Sequence, residues 1–170
     1  MRLSQHSDQG VGLNMIFYHY TCIEHIEEIF SDGFLKASEA NISPVEAHIK
    51  PDVVWLFKKP WVGQAPKMLS GSDSFSAVDK TRICITVDVP MEEVQRADKF
   101  WKRFDTPDWW IKALEKCGGK TNSKDWHVIT RNIPSTEWIE VRDRYSNQKI
   151  NVSLKRKQRL ARGDDANDIE

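Results

Sequence analysis

The sequence predicts a mixed α+β fold. Strand-like and helix-like stretches follow one another as strand, helix, turn, strand, long loop, strand, helix, strand, strand, without the regular βαβ alternation of a doubly wound sheet. No internal repeat is present, and 170 residues suffice for one domain with one core. The apolar runs are short: "MIFYHY", "VVWLF", "RICITVDV" and "WHVIT" have strand length and are rich in β-branched or aromatic residues.

Residues 1–15 read as an irregular N-terminal segment, 16–148 as the single domain, and 149–170 as a charged, flexible tail. The strand "MIFYHY" leads into a helix over about 22–31. Thr21 and Glu24 have capping-box spacing, Ile23, Ile26, Ile29 and Phe30 form an apolar stripe, and Gly33 supplies a left-handed stop. "SPVE" at 43–46 opens a turn or two of helix before Pro51. "VVWLF", 53–57, is a buried strand. From Lys58 to Lys80 the chain is polar and aperiodic, a length more typical of a lid or binding loop than of a connection. "RICITVDV", 82–89, places Ile83, Ile85 and Val87 on one face. "TPDWWIKALEKC" starts at Thr106 and Pro107 and stops at Gly118 and Gly119, which marks a helix; "WHVIT" and "TEWIEVRDRY" are the last strands.

Lys and Arg number 25, as do Asp and Glu, which excludes a molecule that binds nucleic acid through net charge alone. Six basic residues and no acidic one lie between 149 and 162, in front of the acidic "DDANDIE". Two basic patches, "DKFWKRF" and "KRKQR", have the composition to meet phosphates, the first with aromatic rings that can stack on bases. The three cysteines lack CxxC spacing and read as thiols in a reducing compartment. No signal-peptide pattern or long apolar run occurs, so a cytoplasmic protein without a membrane span is expected. The dinucleotide glycine fingerprint, the phosphate loop, H-E-x-x-H and zinc spacing are all missing, so no metal site is expected. His19, at a strand-to-helix junction, stands where backbone N–H groups can meet an anion.

The ordered series "HYT", an isoleucine-rich amphipathic helix, "DGFL", "VVWLF" with a proline soon after, "KTRICITVDV" and "WHVITRNIPSTEWIEV" resembles the ADP-ribosyltransferase superfamily. The likeness is to its small bacterial and phage members, including DNA-modifying toxins and RNA 2'-phosphotransferase relatives, and covers residues 16–142. It implies a split mixed sheet with short helices, NAD as co-substrate in the cleft, and mono-ADP-ribosyl transfer, a glycosyltransferase reaction, to an unidentified protein or nucleic acid that the basic tail assists in docking. His19 then holds a ribose hydroxyl, with Tyr20 and Thr21 beside it, although strand alternation turns Tyr20 away. Trp55 is a candidate wall of the nicotinamide pocket, while Phe57 and Lys58 stand where relatives often carry a hydroxyl residue.

The resemblance also implies a late carboxylate that stabilises the developing ribosyl cation. If "TEWIEVRD" is one strand, Glu137 shares the apolar face of Ile139 and Val141, whereas Glu140 faces the other way with Trp138 and Arg142. Aligned on the "IP" of the toxin branch, the catalytic position falls instead on His127. Glu137 is the preferred catalytic carboxylate, since a carboxylate on an apolar face needs a partner or a ligand, with His127 as the second candidate and Glu140 as the remaining alternative. A non-enzymatic binding protein on the same fold and an RNA 2'-phosphotransferase-like enzyme are the alternative functions.

Overall fold

The computed structural model describes residues 13–38, 51–60, 78–104, 106–109, 111–112 and 123–151. The "SPVE" turn, most of the expected lid, Cys117 and the "KRKQR" tail lie outside the described residues.

Eight strands and a few short helices make an α+β arrangement. Strand β1 (Asn14–Thr21) runs into a 3-10 turn (Ile23–His25) and helix α1 (Ile26–Asp32), followed by β2 (Phe34–Leu35), β3 (Val54–Phe57) and β4 (Ile83–Pro90). Then come β5 (Gln95–Arg96), helix α2 (Ala97–Lys102), β6 (Trp126–Ile129), β7 (Ile133–Pro134) and β8 (Trp138–Asp143). One six-stranded sheet has the order β5-β6-β3-β1-β4-β8, and β2 and β7 form a two-stranded ribbon. Every strand pair is antiparallel, so the expected mixed sheet is corrected to an antiparallel one.

Both faces of the sheet are covered. Phe17, Val54, Leu56, Ile83, Ile85, Val87, Ile129 and Val141 pack on one side with Ile26 and Phe30 of α1 and with Leu35 and Ile133 of the ribbon. Tyr20, Phe57, Trp126 and Val128 pack on the other with Ala97, Phe100 and Trp101 of α2. The alternation expected for β4 holds, since Ile83, Ile85 and Val87 are fully buried on the α1 side.

Several expectations change. Gly33 does close α1 in the left-handed region, at φ 74°. The Thr21–Glu24 capping box does not form: Thr21 is still in the ladder opposite Ile83, Cys22 takes the cap position, and no side chain caps the turn. β1 begins at Asn14, inside the segment expected to be irregular. Lys149 bridges back to Arg142 and the Ile150 N–H reaches the Val141 carbonyl, so residues 149–150 belong to the domain and not to a tail. Helical conformation appears at 108–109 and 111–112, and the rest of the "TPDWWIKALEKC" helix lies outside the described residues.

The basic patch "DKFWKRF" is largely helix α2. Its Ala97, Phe100 and Trp101 sit at i, i+3 and i+4, the spacing of one buried helical face. Trp101 is 0% exposed and Phe100 4%, so these rings serve the core and are withdrawn from base stacking. Trp101→Ala is therefore expected to cost about 3–5 kcal/mol of stability, while the exposed Trp109→Ala changes it by less than about 0.5 kcal/mol. Urea denaturation of both variants measures the contrast, and equal losses would contradict this packing.

Candidate functional site

Between β1 and β3 the six-stranded sheet nearly comes apart. β1 pairs with β4 along its whole length from Asn14 to Thr21, but with β3 at the single pair Tyr18–Phe57. Beyond that pair the His19 ring spans the opening, with Nδ1 2.9 Å from the Trp55 carbonyl oxygen. A carbonyl only accepts, so Nδ1 carries the proton and Nε2 of the neutral ring keeps its lone pair. Burial holds the His19 pKa below its usual value, against a smaller opposing effect of the Trp55 hydrogen bond, which keeps the ring neutral at pH 7. Nε2 has no hydrogen-bond partner among the described residues.

His127 repeats this chemistry. Its Nδ1 lies 2.9 Å from the Asp125 carbonyl oxygen, which again assigns the lone pair to Nε2. The ring leans on Phe17 at 5.3 Å between centroids. Burial lowers its pKa, the Asp125 hydrogen bond opposes that, and Lys58 and Arg96 lower it further. Phe17 and His19 alternate on the α1 face of β1, so the ring resting on Phe17 belongs to the same face as His19. His127 pairs with Leu56 of β3, the strand beside β1, which leaves about 10 Å between the two histidine backbones. The structure thus gathers His19 and His127, two neutral imidazoles with Nε2 as acceptor.

The other expected cofactor residues are distributed differently. The Trp55 side chain packs on the α2 face, 5.9 Å from both Trp101 and Trp126, while its carbonyl serves His19. Tyr20 also lies on the α2 face, edge-on to Phe57, and its hydroxyl meets the Cys84 thiol across their strand pair. Thr21 is buried and ladder-bound, one residue past Tyr20 on the histidine face. Burial raises the pKa of the Cys22 thiol and pushes that of Cys84 up to about 11, which disfavours the thiolate at both described cysteines.

The late carboxylates stand apart from His19. Glu137 falls in a 3-10 turn ahead of β8, so the strand-alternation argument does not reach it. Its carboxylate accepts from Arg131 Nη2 at 3.1 Å, and Arg131 also holds Glu93. The register sets His19 opposite Ile85 and Val141, and Phe17 opposite Val87 and Trp138, with Glu137 beyond that second row. Two strand spacings and about three residues of rise separate the Glu137 and His19 backbones by about 14 Å. A register shift between Thr86 and Val87 puts Trp138 and Val141 on one face and leaves Ile139 55% exposed, reversing the expected faces of Trp138 and Ile139. Glu140 pairs with Thr86 on the opposite face from His19, and Arg142 and Lys149 pull its pKa down.

Two residues near the site were not singled out as a pair by sequence reading. Arg96 is directly opposite His127, and Lys58 is hydrogen-bonded through its N–H to the Asp125 carbonyl at 2.9 Å. Lys58 was visible only as a departure from the family pattern, and Arg96 sits in a two-residue strand without periodic signal. No group of three metal-ligating side chains occurs among the described residues. No described helix is long and apolar enough to cross a membrane. Compared with family models, curated proteins and solved structures, the chain matches none.

Because both imidazoles have lowered pKa values, the unfolded chain binds more protons than the native one once the pH falls below the usual histidine value of about 6.5. Their stabilising contribution is complete above that pH and is lost as pH falls toward the native pKa. The lowered carboxylates Asp79, Glu140 and Asp143 act in the more acidic range. The urea midpoint is expected to drop between about pH 7.5 and pH 5.5, and the drop to shrink in His19→Gln. An unchanged slope in that variant would contradict the buried neutral imidazole.

Proposed function

We propose that the chain is an NAD-dependent mono-ADP-ribosyltransferase-like enzyme acting on an unidentified protein or nucleic acid. The observation that carries this reading is His19 across the sheet opening: its Nδ1–H is committed to Trp55, and its Nε2, without a partner among the described residues, has a lone pair that can accept from a ribose hydroxyl. In the proposed reaction the nicotinamide–ribose bond breaks, and its electron pair leaves on nicotinamide and neutralises the ring. The ribose C1' then bonds to the acceptor atom, whose proton passes to a base. His127 suits that base, being neutral with a lone pair on Nε2 and sharing the face of His19.

The late carboxylate supports this reading less. Glu137 is tied to Arg131, and Glu140 to Arg142 and Lys149. That pairing favours a second reading, a non-enzymatic binding protein on the same arrangement.

Calorimetry with NAD tests the binding step. His19→Ala is expected to weaken NAD by about tenfold or more, the loss of one well-placed hydrogen bond, with the circular dichroism spectrum unchanged. Equal affinity would remove His19 from the site. A nicotinamide-release assay tests turnover: His127→Ala is expected to slow release by about 100-fold, and Glu137→Gln by less than about threefold. The reverse ranking would return the catalytic role to Glu137, and binding without release over a broad substrate set would favour the binding protein.

A further inference from the structure

The β5–β6–β3 end of the sheet brings basic side chains around His127. Directly paired residues share a face, so Arg96, His127 and Leu56 form one row across three strands. Lys58 is the first residue past β3, its N–H bond to Asp125 keeps it beside the start of β6, and its charge acts on the His127 ring. The carboxylates of this region are already engaged. Asp98 accepts from Arg96 Nε at 3.1 Å and Nη2 at 2.8 Å, and Asp125 faces Lys59 Nζ at 3.7 Å. Lys58 has no ion pair among the described residues, and its side chain is exposed.

Two cations beside a partly buried imidazole repel its proton, an arrangement that is unfavourable for the free protein and becomes favourable when an anion arrives. Lysine contributes a mobile ammonium, and Arg96 keeps Nη1 beyond its fork on Asp98. We propose that Lys58, His127 and Arg96 form a phosphate-binding site for a nucleotide ligand. The phosphate's charge offsets the two cations, so His127 Nε2 accepts a proton from solvent or from the acceptor more readily and, once protonated, donates it to the phosphate in a charge-assisted hydrogen bond. The charged groups facing the ring are Lys58, Arg96 and Asp125, with Asp98 and Lys59 behind them in ion pairs, while β1 presents the uncharged Phe17. The site shares a sheet face with His19, so the phosphate can come from the NAD of the proposed function or from a separate nucleotide.

Titration of the His127 ring resonances with inorganic pyrophosphate, AMP and NAD tests the site and separates its sources. Pyrophosphate is expected to shift the His127 signals saturably, and Lys58→Gln and Arg96→Gln each to weaken it by about tenfold, since charge-assisted bonds are lost. If the same variants weaken NAD to a similar degree, the dinucleotide supplies the phosphate; if they weaken AMP alone, a separate nucleotide does. No saturable shift, or unchanged affinities in both variants, would overturn the site. Pyrophosphate binding without NAD binding keeps the phosphate site and removes the NAD reading. Full-strength binding of pyrophosphate, AMP and NAD in both variants, with NAD binding lost in His19→Ala, keeps the NAD reading and removes the phosphate site.

Discussion

The hydrogen bond from His19 Nδ1 to the Trp55 carbonyl replaces a ladder where the sheet has almost none. β1 and β3 meet at Tyr18 and Phe57, and past that pair the Trp55 carbonyl would lack a strand partner from β1. A buried carbonyl without a donor is costly, and the imidazole meets that need from the side. One bond thereby does three things: it adds to the Tyr18–Phe57 pair between β1 and β3, it assigns the histidine tautomer, and it makes Nε2 the acceptor. It also links the two cores, because the Trp55 whose carbonyl holds His19 packs its indole against Trp101 and Trp126 on the far face.

Electrostatics divides the sheet into unlike ends. At the β4–β8 end, carboxylates and guanidinium groups neutralise one another: Arg82 holds Asp143 at 3.1 Å, Arg142 holds Glu140 at 3.0 Å, and Tyr145 donates to Asp79. Asp143 also accepts the N–H groups of Tyr145 and Ser146, which shapes the turn that returns residues 149–150 to β8. These pairs are partly exposed and contribute modestly. At the β5–β6–β3 end the balance shifts toward cations around His127. The neutral sum of the whole composition therefore conceals a local asymmetry, and the side chains left over for a ligand lie on the side of the two histidines.

Strong local patterns were legible in the sequence. β4 alternates cleanly and is buried as its pattern requires; "VVWLF" forms β3; Gly33 ends α1 because the left-handed turn suits a residue without Cβ. Helix α2 was legible in principle, since Ala97, Phe100 and Trp101 have helical spacing, but six residues give too short a period to outweigh the impression of a basic patch. The Thr21–Glu24 capping box failed because the ladder to β4 claimed Thr21 first. The shift between Thr86 and Val87 could not be read from residue types, and it moved Trp138 and Ile139 off the faces that simple alternation gives them. Of the expected site residues, His19 and His127 come onto one face, because strand order is a tertiary property that brings β6 next to β3. Glu137 stays apart for the same reason, on the other side of the β4–β8 pair.

The bond between His19 and Trp55 is tested most directly by long-range nitrogen–proton NMR correlation of the His19 ring at pH 7. The structure requires a neutral ring with the proton on Nδ1 and an unprotonated Nε2. A proton on Nε2 with a bare Nδ1, or an imidazolium at that pH, would contradict it.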